Sequence, residues 1–590
     1  MTNQNIHTFH IPVMGLGYTL DTPIKIGHFG INSVVSIGDD DLIESFRKFY
    51  SEKYNFEYKE IKKTELNHRS NRITEYLNLS QKIIDLNFLR IKSLPFKKGN
   101  DLSKYFEMLP EGTSLKNEYQ LMLNSTNLKD KTELQRKLRE KMIKGSIDVN
   151  IMTKADNPNY TKNKEKLPYE FNDACASLIG YMKSNLNSSI VFSAGMNPKL
   201  FSYLYNFEDV KPDLNNIIRK KIILKVSDFR SASIQGKFLA KNGIWVSEFR
   251  IESGLNCGGH AFATNGELIG PILEEFLIKR ETLQEELFCL YRNFYKKINQ
   301  EIKTDSPSIL FSAQGGVGTH EEHQYLLEKY NLHSIGWGTP FLMVPEAISI
   351  DSETIRLLAK TSEDDVYTSN VSPLGIPFNT LTKRFLEKNK KIEKNKRIEG
   401  SSCPKKFLSF NNEFTSNSLC EASTKFIKLK TTQIEKNETL STSEKKIELE
   451  KINEKECLCC GLGNPSLKEK NITSKFNPKA SIVCPGPNIA YFSKKLSLIQ
   501  IIDHIYGRNN HLNNITRPSM FTKELLMYIE LYNNTIANSE FLNKKQIEFQ
   551  TNILKSIKYY ISNFKENKTV LVEIFKSFKQ LNINFNYSNT

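Results

Sequence analysis

The sequence is short of several things, and each shortage excludes a class. No run of about 18 apolar residues occurs in its 590 residues, which argues against a membrane-spanning helix. The opening stretch MTNQNIHTFHIPVMG has no basic segment followed by an apolar one, so no secretory signal is read and a cytoplasmic location is expected. There are nine cysteines, an odd number in a long chain, which does not suit a disulfide framework. No internal repeat and no nucleic-acid-binding motif is visible. The net charge of +16 could still mean nucleic acid. Lys, Asn and Ile are abundant throughout, however, as AT-rich coding would produce, and basic residues concentrate in stretches such as RFLEKNKKIEKNKRIEG (384–400). The charge reads as a solvated surface, so neither a nucleic acid nor a membrane is expected as partner.

What is present is a series of short β-rich runs. They fall at 10–17, 31–38, 146–154, 188–195, 221–227, 243–253, 308–316 and 333–339. Each is rich in Val, Ile or aromatics and ends in Gly, Ser or Thr, and most are separated by helical patterns. Near-continuous apolar strands with helices between them form parallel sheets. Eight such units predict a (β/α)8 TIM barrel. SASIQGKFLAKN (231–242) and EEHQYLLEKY (321–330) are good helix candidates. The stretch 39–145 is too long for one crossover and carries several helical periodicities, so it reads as a helical insertion after the second strand. The division expected is a barrel over 1–383, a charged, low-complexity linker or insert over 384–456, and a helical C-terminal cap over 457–590.

In such barrels the chemistry lies at the C-terminal ends of the strands. The seventh run ends QGGVGT and the eighth GWGT. Glycines let backbone N–H groups approach an anion, and a following helix N-terminus adds positive potential. Gly315, Gly316, Gly318, Gly338 and Thr339 are therefore phosphate candidates; ordinary turn glycines are the plain alternative. Met14 and Gly15 place bare backbone at the barrel mouth, where a flat ring could lie. Asn150 could supply an amide hydrogen bond, and Lys225 could reach a ring or an anionic substrate. The sixth run leads into ESGLNCGGHAFATNG (252–266), more polar and more glycine-rich than a turn requires.

Three of these motifs, in order, resemble the nitronate monooxygenase (2-nitropropane dioxygenase-like) family of FMN enzymes. They are ESGLNCGGHAF, SAQGGVGT and SIGWGTPFL; IPVMGLG also fits the family's first strand. The resemblance covers roughly residues 10–345 without the insertion. It implies that Gly258 and Gly259 approach a flavin, that Gly315, Gly316, Gly338 and Thr339 hold the FMN phosphate, and that His260 is the catalytic acid or base. An imidazole near neutral pKa suits proton transfer, and a flavin carries the redox step. Two departures stand out. Pro340 replaces an Arg frequent after Gly-Thr, and Cys257 replaces a usual alanine. CPGPNIAYFSKKLSL (484–498) also resembles a Cys-Gly-Pro segment of the trans-acting enoyl reductases of polyunsaturated-fatty-acid and polyketide synthases. That branch would imply an acyl-carrier-bound substrate and NAD(P)H as reductant.

The expected function is thus an FMN-dependent oxidoreductase acting on a small or carrier-bound organic substrate. The alternatives are an NAD(P)H-dependent enoyl reductase, a non-flavin barrel with Cys257 as nucleophile, and a scaffolding barrel. No metal ligand is assigned, although Cys457, Cys459, Cys460 and Cys484 leave zinc or an iron–sulfur cluster open. A homodimer is likewise open.

Overall fold

The computed structural model describes residues 5–213, 217–300, 302, 305–381, 400, 401, 403, 405–474, 476, 480–512, 516–537, 542–564 and 568–583. Its centre is a closed parallel barrel. The strands are β1 (Phe9–His10), β2 (Ser33–Ser36), β3 (Ile147–Met152), β4 (Ser189–Ser193), β5 (Lys221–Val226), β6 (Val246–Glu252), β8 (Leu310–Gln314) and β9 (Ser334–Gly336). Their order is β1-β9-β8-β6-β5-β4-β3-β2, every pair parallel. The ring closes where Ile11 bridges Ser33: the Ile11 N–H donates to Asn32 O (3.0 Å) and the Val34 N–H to Ile11 O (2.9 Å). All eight expected runs are barrel strands. The first is shorter than its apolar stretch, because residues 12–17 leave the sheet and cross the barrel mouth.

Side chains alternate between the two faces of each strand. The outward set, including Ile222, Leu224, Phe249, Ile251, Phe311 and Ala313, joins the main apolar core beneath the helices. The inward set is mixed. Val34, Val191 and Ile223 form a small separate cluster. Beside them the register aligns Lys225 with Arg250, Arg250 with Ser312, and Glu252 with Gln314. Arg250 and Glu248 pair there at 2.9 Å.

Crossover helices cover the outside at Asp173–Lys183, Phe229–Lys241, Ile269–Lys297 and His320–Lys329. The insertion contributes helices Asp40–Lys53, His68–Ser93, Asp101–Glu107, Ser114–Asn124 and Leu128–Lys141. The first of these starts where Asp39 accepts the Leu42 N–H (3.1 Å), with Asp40 and Asp41 against the helix dipole. The second buries Ile73, Tyr76, Leu77, Ile83, Ile84 and Ile91, close to helical spacing.

After the barrel, β10 (Val366–Ser369) and β11 (Phe378–Leu381) form a hairpin that pairs with β7 (Gly259–His260) in a three-stranded antiparallel sheet. The basic run 384–400 lies outside the described residues except for Gly400. The charged stretch beyond it contains helices Thr424–Lys436 and Thr442–Asn453. The extension ends in helices Leu498–Ile505, Met520–Ile536, Lys544–Asn563 and Lys568–Ile583. Among the described residues no helix is long and apolar enough to cross a membrane.

Candidate active site

A cavity of about 260 Å³ opens at the C-terminal ends of the strands, and all eight strands or their following loops line it. Its wall includes Met14, Gly15, Asn150, Lys225, Gly258, Gly259, His260, Gly315, Gly316, Gly338 and Thr339. Gly318 is not in the lining. Its N–H donates to Glu322 Oε2 (2.8 Å), and the Arg517 guanidinium lies 2.8 Å from where its Cβ would stand.

The glycines serve different ends. Gly315 and Gly316 are consecutive left-handed residues, at φ +104° and +93°. A Cβ on Gly316 would lie 2.0 Å from Asn256 Nδ2. Gly258 is a glycine because another segment of chain passes over it: its Cβ would meet Cys484 O at 2.4 Å. Gly259, at φ +76°, faces open space, with Phe378 nearest at 3.9 Å. The segment Cys484–Asn488 therefore straps the site, and Cys484, Gly486 and Asn488 line the cavity. A Cβ on Gly486 would stand 2.6 Å from Thr339 Oγ1.

The polar wall is organised around Glu252. Lys225 Nζ pairs with Glu252 Oε2 at 2.8 Å, and Gln314 Nε2 donates to Glu252 Oε1 at 2.7 Å. Asn150 is 7% exposed, and its Oδ1 is buried without a hydrogen-bond partner among the described residues. An unsatisfied buried acceptor on a cavity wall is costly unless a ligand supplies the donor.

His260 is held by the β7–β11 pairing, with Phe378 opposite it in register and in edge contact at 5.0 Å. Its Nε2 shares a hydrogen bond with Ser372 Oγ (2.8 Å). Burial, reinforced by Lys225 and Lys154, lowers its pKa to about 4. The ring is therefore neutral at pH 7 and a weaker base than the near-neutral imidazole expected from the sequence, because burial disfavours its charged form. The preceding loop is tied to the same hairpin, because Asn379 Nδ2 donates to Leu255 O (2.9 Å) and Cys257 O (2.6 Å). Burial, with Glu252 adding to it, pushes the Cys257 thiol far up, so it stays protonated and is a poor nucleophile.

Cys484 belongs to the cavity wall, and Cys459 also lines the cavity. Cys457, Cys459 and Cys460 neighbour one another, and Cys403 and Cys420 lie near them. Among the described residues no group of three or more His, Cys, Asp or Glu side chains is placed to hold a metal ion.

Several site residues carry no local signal. Asn256 sits inside the glycine-rich loop, but its role depends on Met520, whose carbonyl it bonds at 2.9 Å. Asn488 lies within CPGPN, a segment distinctive enough to mark the strap but not what it covers. Ala194, at the end of β4, lines the cavity at φ +68°, a strained conformation for a residue with a Cβ.

No family model matches the chain, and no curated protein matches it. Solved structures do. FabK from Thermotoga maritima aligns at 13% identity and a TM-score of 0.32, covering 70% of this chain and 86% of its own. The enoyl reductase domain of MlnA from the macrolactin biosynthesis cluster of Bacillus amyloliquefaciens aligns at 14% and 0.34, covering 65% and 86%. Nitroalkane oxidase from Streptomyces ansochromogenes aligns at 8% and 0.29, covering 65% and 85%. A likeness at this level bears on neither substrate nor reaction.

Proposed function

We propose that the protein is an FMN-dependent oxidoreductase. The observation that carries this reading is one cavity that combines the glycine loops after β8 and β9, the orphaned Asn150 acceptor, and a neutral His260. The donor set suits FMN. Asn150 and Lys225 offer an acceptor and a cation to a heteroaromatic ring, and Met14 and Gly15 present backbone beside it. Gly315, Gly316, Gly338 and Thr339 would hold the phosphate. Bound FMN would supply reversible two-electron chemistry.

The chain's own residues would do the rest. The strap and the hairpin would cover part of the cavity. Ser372 Oγ orients the ring through Nε2, which leaves His260 Nδ1 to take a proton from substrate. Glu252 holds the Lys225 ammonium in place.

A second reading, reduction of a carrier-bound enoyl chain by NAD(P)H, is favoured by the cavity's surroundings. A groove of about 1400 Å³ shares Arg69, Asp173 and Phe407 with the cavity and is bordered by Lys162, Lys164, Lys183 and Lys406. Lysines at the rim would suit an acidic carrier protein. Two assays on the FMN-loaded enzyme separate the readings. Nitronate-dependent oxygen uptake supports the first, and NADPH consumption dependent on an enoyl thioester supports the second. Activity that survives complete removal of flavin would overturn both.

A further inference from the structure

The loop after β8 is gripped from outside by the C-terminal extension. Asn488 Nδ2 donates to the carbonyls of Gly316 (2.7 Å) and Val317 (2.9 Å). Arg517 Nη2 donates to the same Gly316 carbonyl (2.7 Å), and its Nε donates to Asn488 Oδ1 (2.9 Å). Glu322 takes the rest of the guanidinium, at 2.7 and 3.0 Å, and also accepts the N–H groups of Gly318 (2.8 Å) and Met520 (2.7 Å). His504 Nε2 lies 2.9 Å from the Gly318 carbonyl. Asn488 and the Arg517 side chain are both 6% exposed.

Three physical points define what this arrangement does. Glu322 neutralises Arg517, so the clamp adds little net charge to the loop; its contribution is geometric. Two successive left-handed glycines leave the loop few restraints of its own, so an outside partner must choose its conformation. Finally, the described peptides are all trans, so fixing the Gly316 carbonyl on the clamp turns the Val317 N–H the opposite way. Fixing the Gly316 carbonyl thereby fixes the Val317 N–H, while the Gly318 N–H is already taken by Glu322.

We infer that Arg517 and Asn488 are positioning residues that set the affinity of the 315–317 loop for a phosphomonoester. Phosphate binding at the barrel mouth is thus completed by residues roughly 170 to 200 positions further along the chain, in the extension. This rests on the FMN reading.

The test compares FMN with riboflavin, which lacks the phosphate, by fluorescence titration of flavin-free full-length protein. Arg517→Lys keeps the charge but cannot reproduce the planar fork. Asn488→Ser removes the amide donor without adding bulk. Each is expected to weaken FMN on the order of 10- to 100-fold, while riboflavin affinity changes by less than about threefold. Equal losses for both flavins would reduce the clamp to a structural role and overturn the inference. So would a wild-type preference for FMN that survives in both variants. If the wild-type protein itself shows no preference for FMN over riboflavin, the FMN reading fails first, and the two failures are distinct. Should Arg517→Lys lose its fold, Asn488→Ser alone decides.

Discussion

Replacing Gly316 by alanine tests the site's architecture at one atom. The new Cβ would stand 2.0 Å from Asn256 Nδ2 and 2.5 Å from its Cγ, far inside contact distance. Asn256 is 2% exposed and cannot swing aside freely, because its Nδ2 is bonded to Met520 O and its N–H to Ser253 Oγ (3.1 Å). Moving it would take the buried Asn256 amide donor away from its acceptor, Met520 O, at a cost of about 1–3 kcal/mol. The left-handed backbone adds about 1–2 kcal/mol for a residue with a Cβ. The sum is about 2–5 kcal/mol, a large share of ordinary protein stability. Gly38 is the matched control. It lines the same cavity, yet a Cβ there would meet nothing closer than 3.7 Å. Urea midpoints and FMN affinity should both fall for Gly316→Ala and hold for Gly38→Ala. If the two variants match in both, the close packing between this loop and Asn256 is not what shapes the site.

Three further outcomes are expected. His260→Ala should lower kcat at pH 7 by about 100-fold or more, while Cys257→Ser should stay within a few-fold of wild type; the reverse would support the cysteine-nucleophile alternative. In kcat/KM profiles of the wild type, activity should hold from pH 8 to 5 and fall as pH approaches 4, where His260 gains its proton; loss already near pH 6.5 would contradict the buried setting of the ring. Glu524 is fully buried, accepts from Ser253 Oγ (2.6 Å) and the Ile269 N–H (2.8 Å), and has its pKa raised to about 7 by burial. The native state therefore keeps a proton that the unfolded chain releases above pH 4.5, so stability falls as pH rises from there to 7. The fall is about 3 kcal/mol at most. Glu524→Gln should flatten that slope in denaturation series from pH 5 to 8, and an unchanged slope would assign it to other groups.

The barrel was legible because its strands are buried on both faces. Runs such as KIILKV and SILFSA stand out from a Lys- and Asn-rich background, and each ends in the small residues that a crowded barrel mouth requires. The glycine loops were legible for the same reason. What closes the site was not. His260 owes its position to β11, more than a hundred residues away, and Asn379 looks in sequence like any polar strand residue. Gly258 looked like room for a cofactor, but the structure fills that space with the Cys484 carbonyl. Arg517 has no distinguishing neighbours; only its contacts with Gly316, Glu322 and Asn488 single it out. Cys484 seemed a partner for the Cys457–Cys460 group, and the strap brings it to the cavity that Cys459 also lines.

An absorbance spectrum of the purified protein, followed by mass analysis of whatever denaturation releases, tests the central claim most directly. The account predicts flavin bands near about 370 and 450 nm and release of FMN in roughly one-to-one amount. Absence of both bands, persisting after incubation with FMN, would contradict it and return the glycine loops to some other phosphorylated ligand.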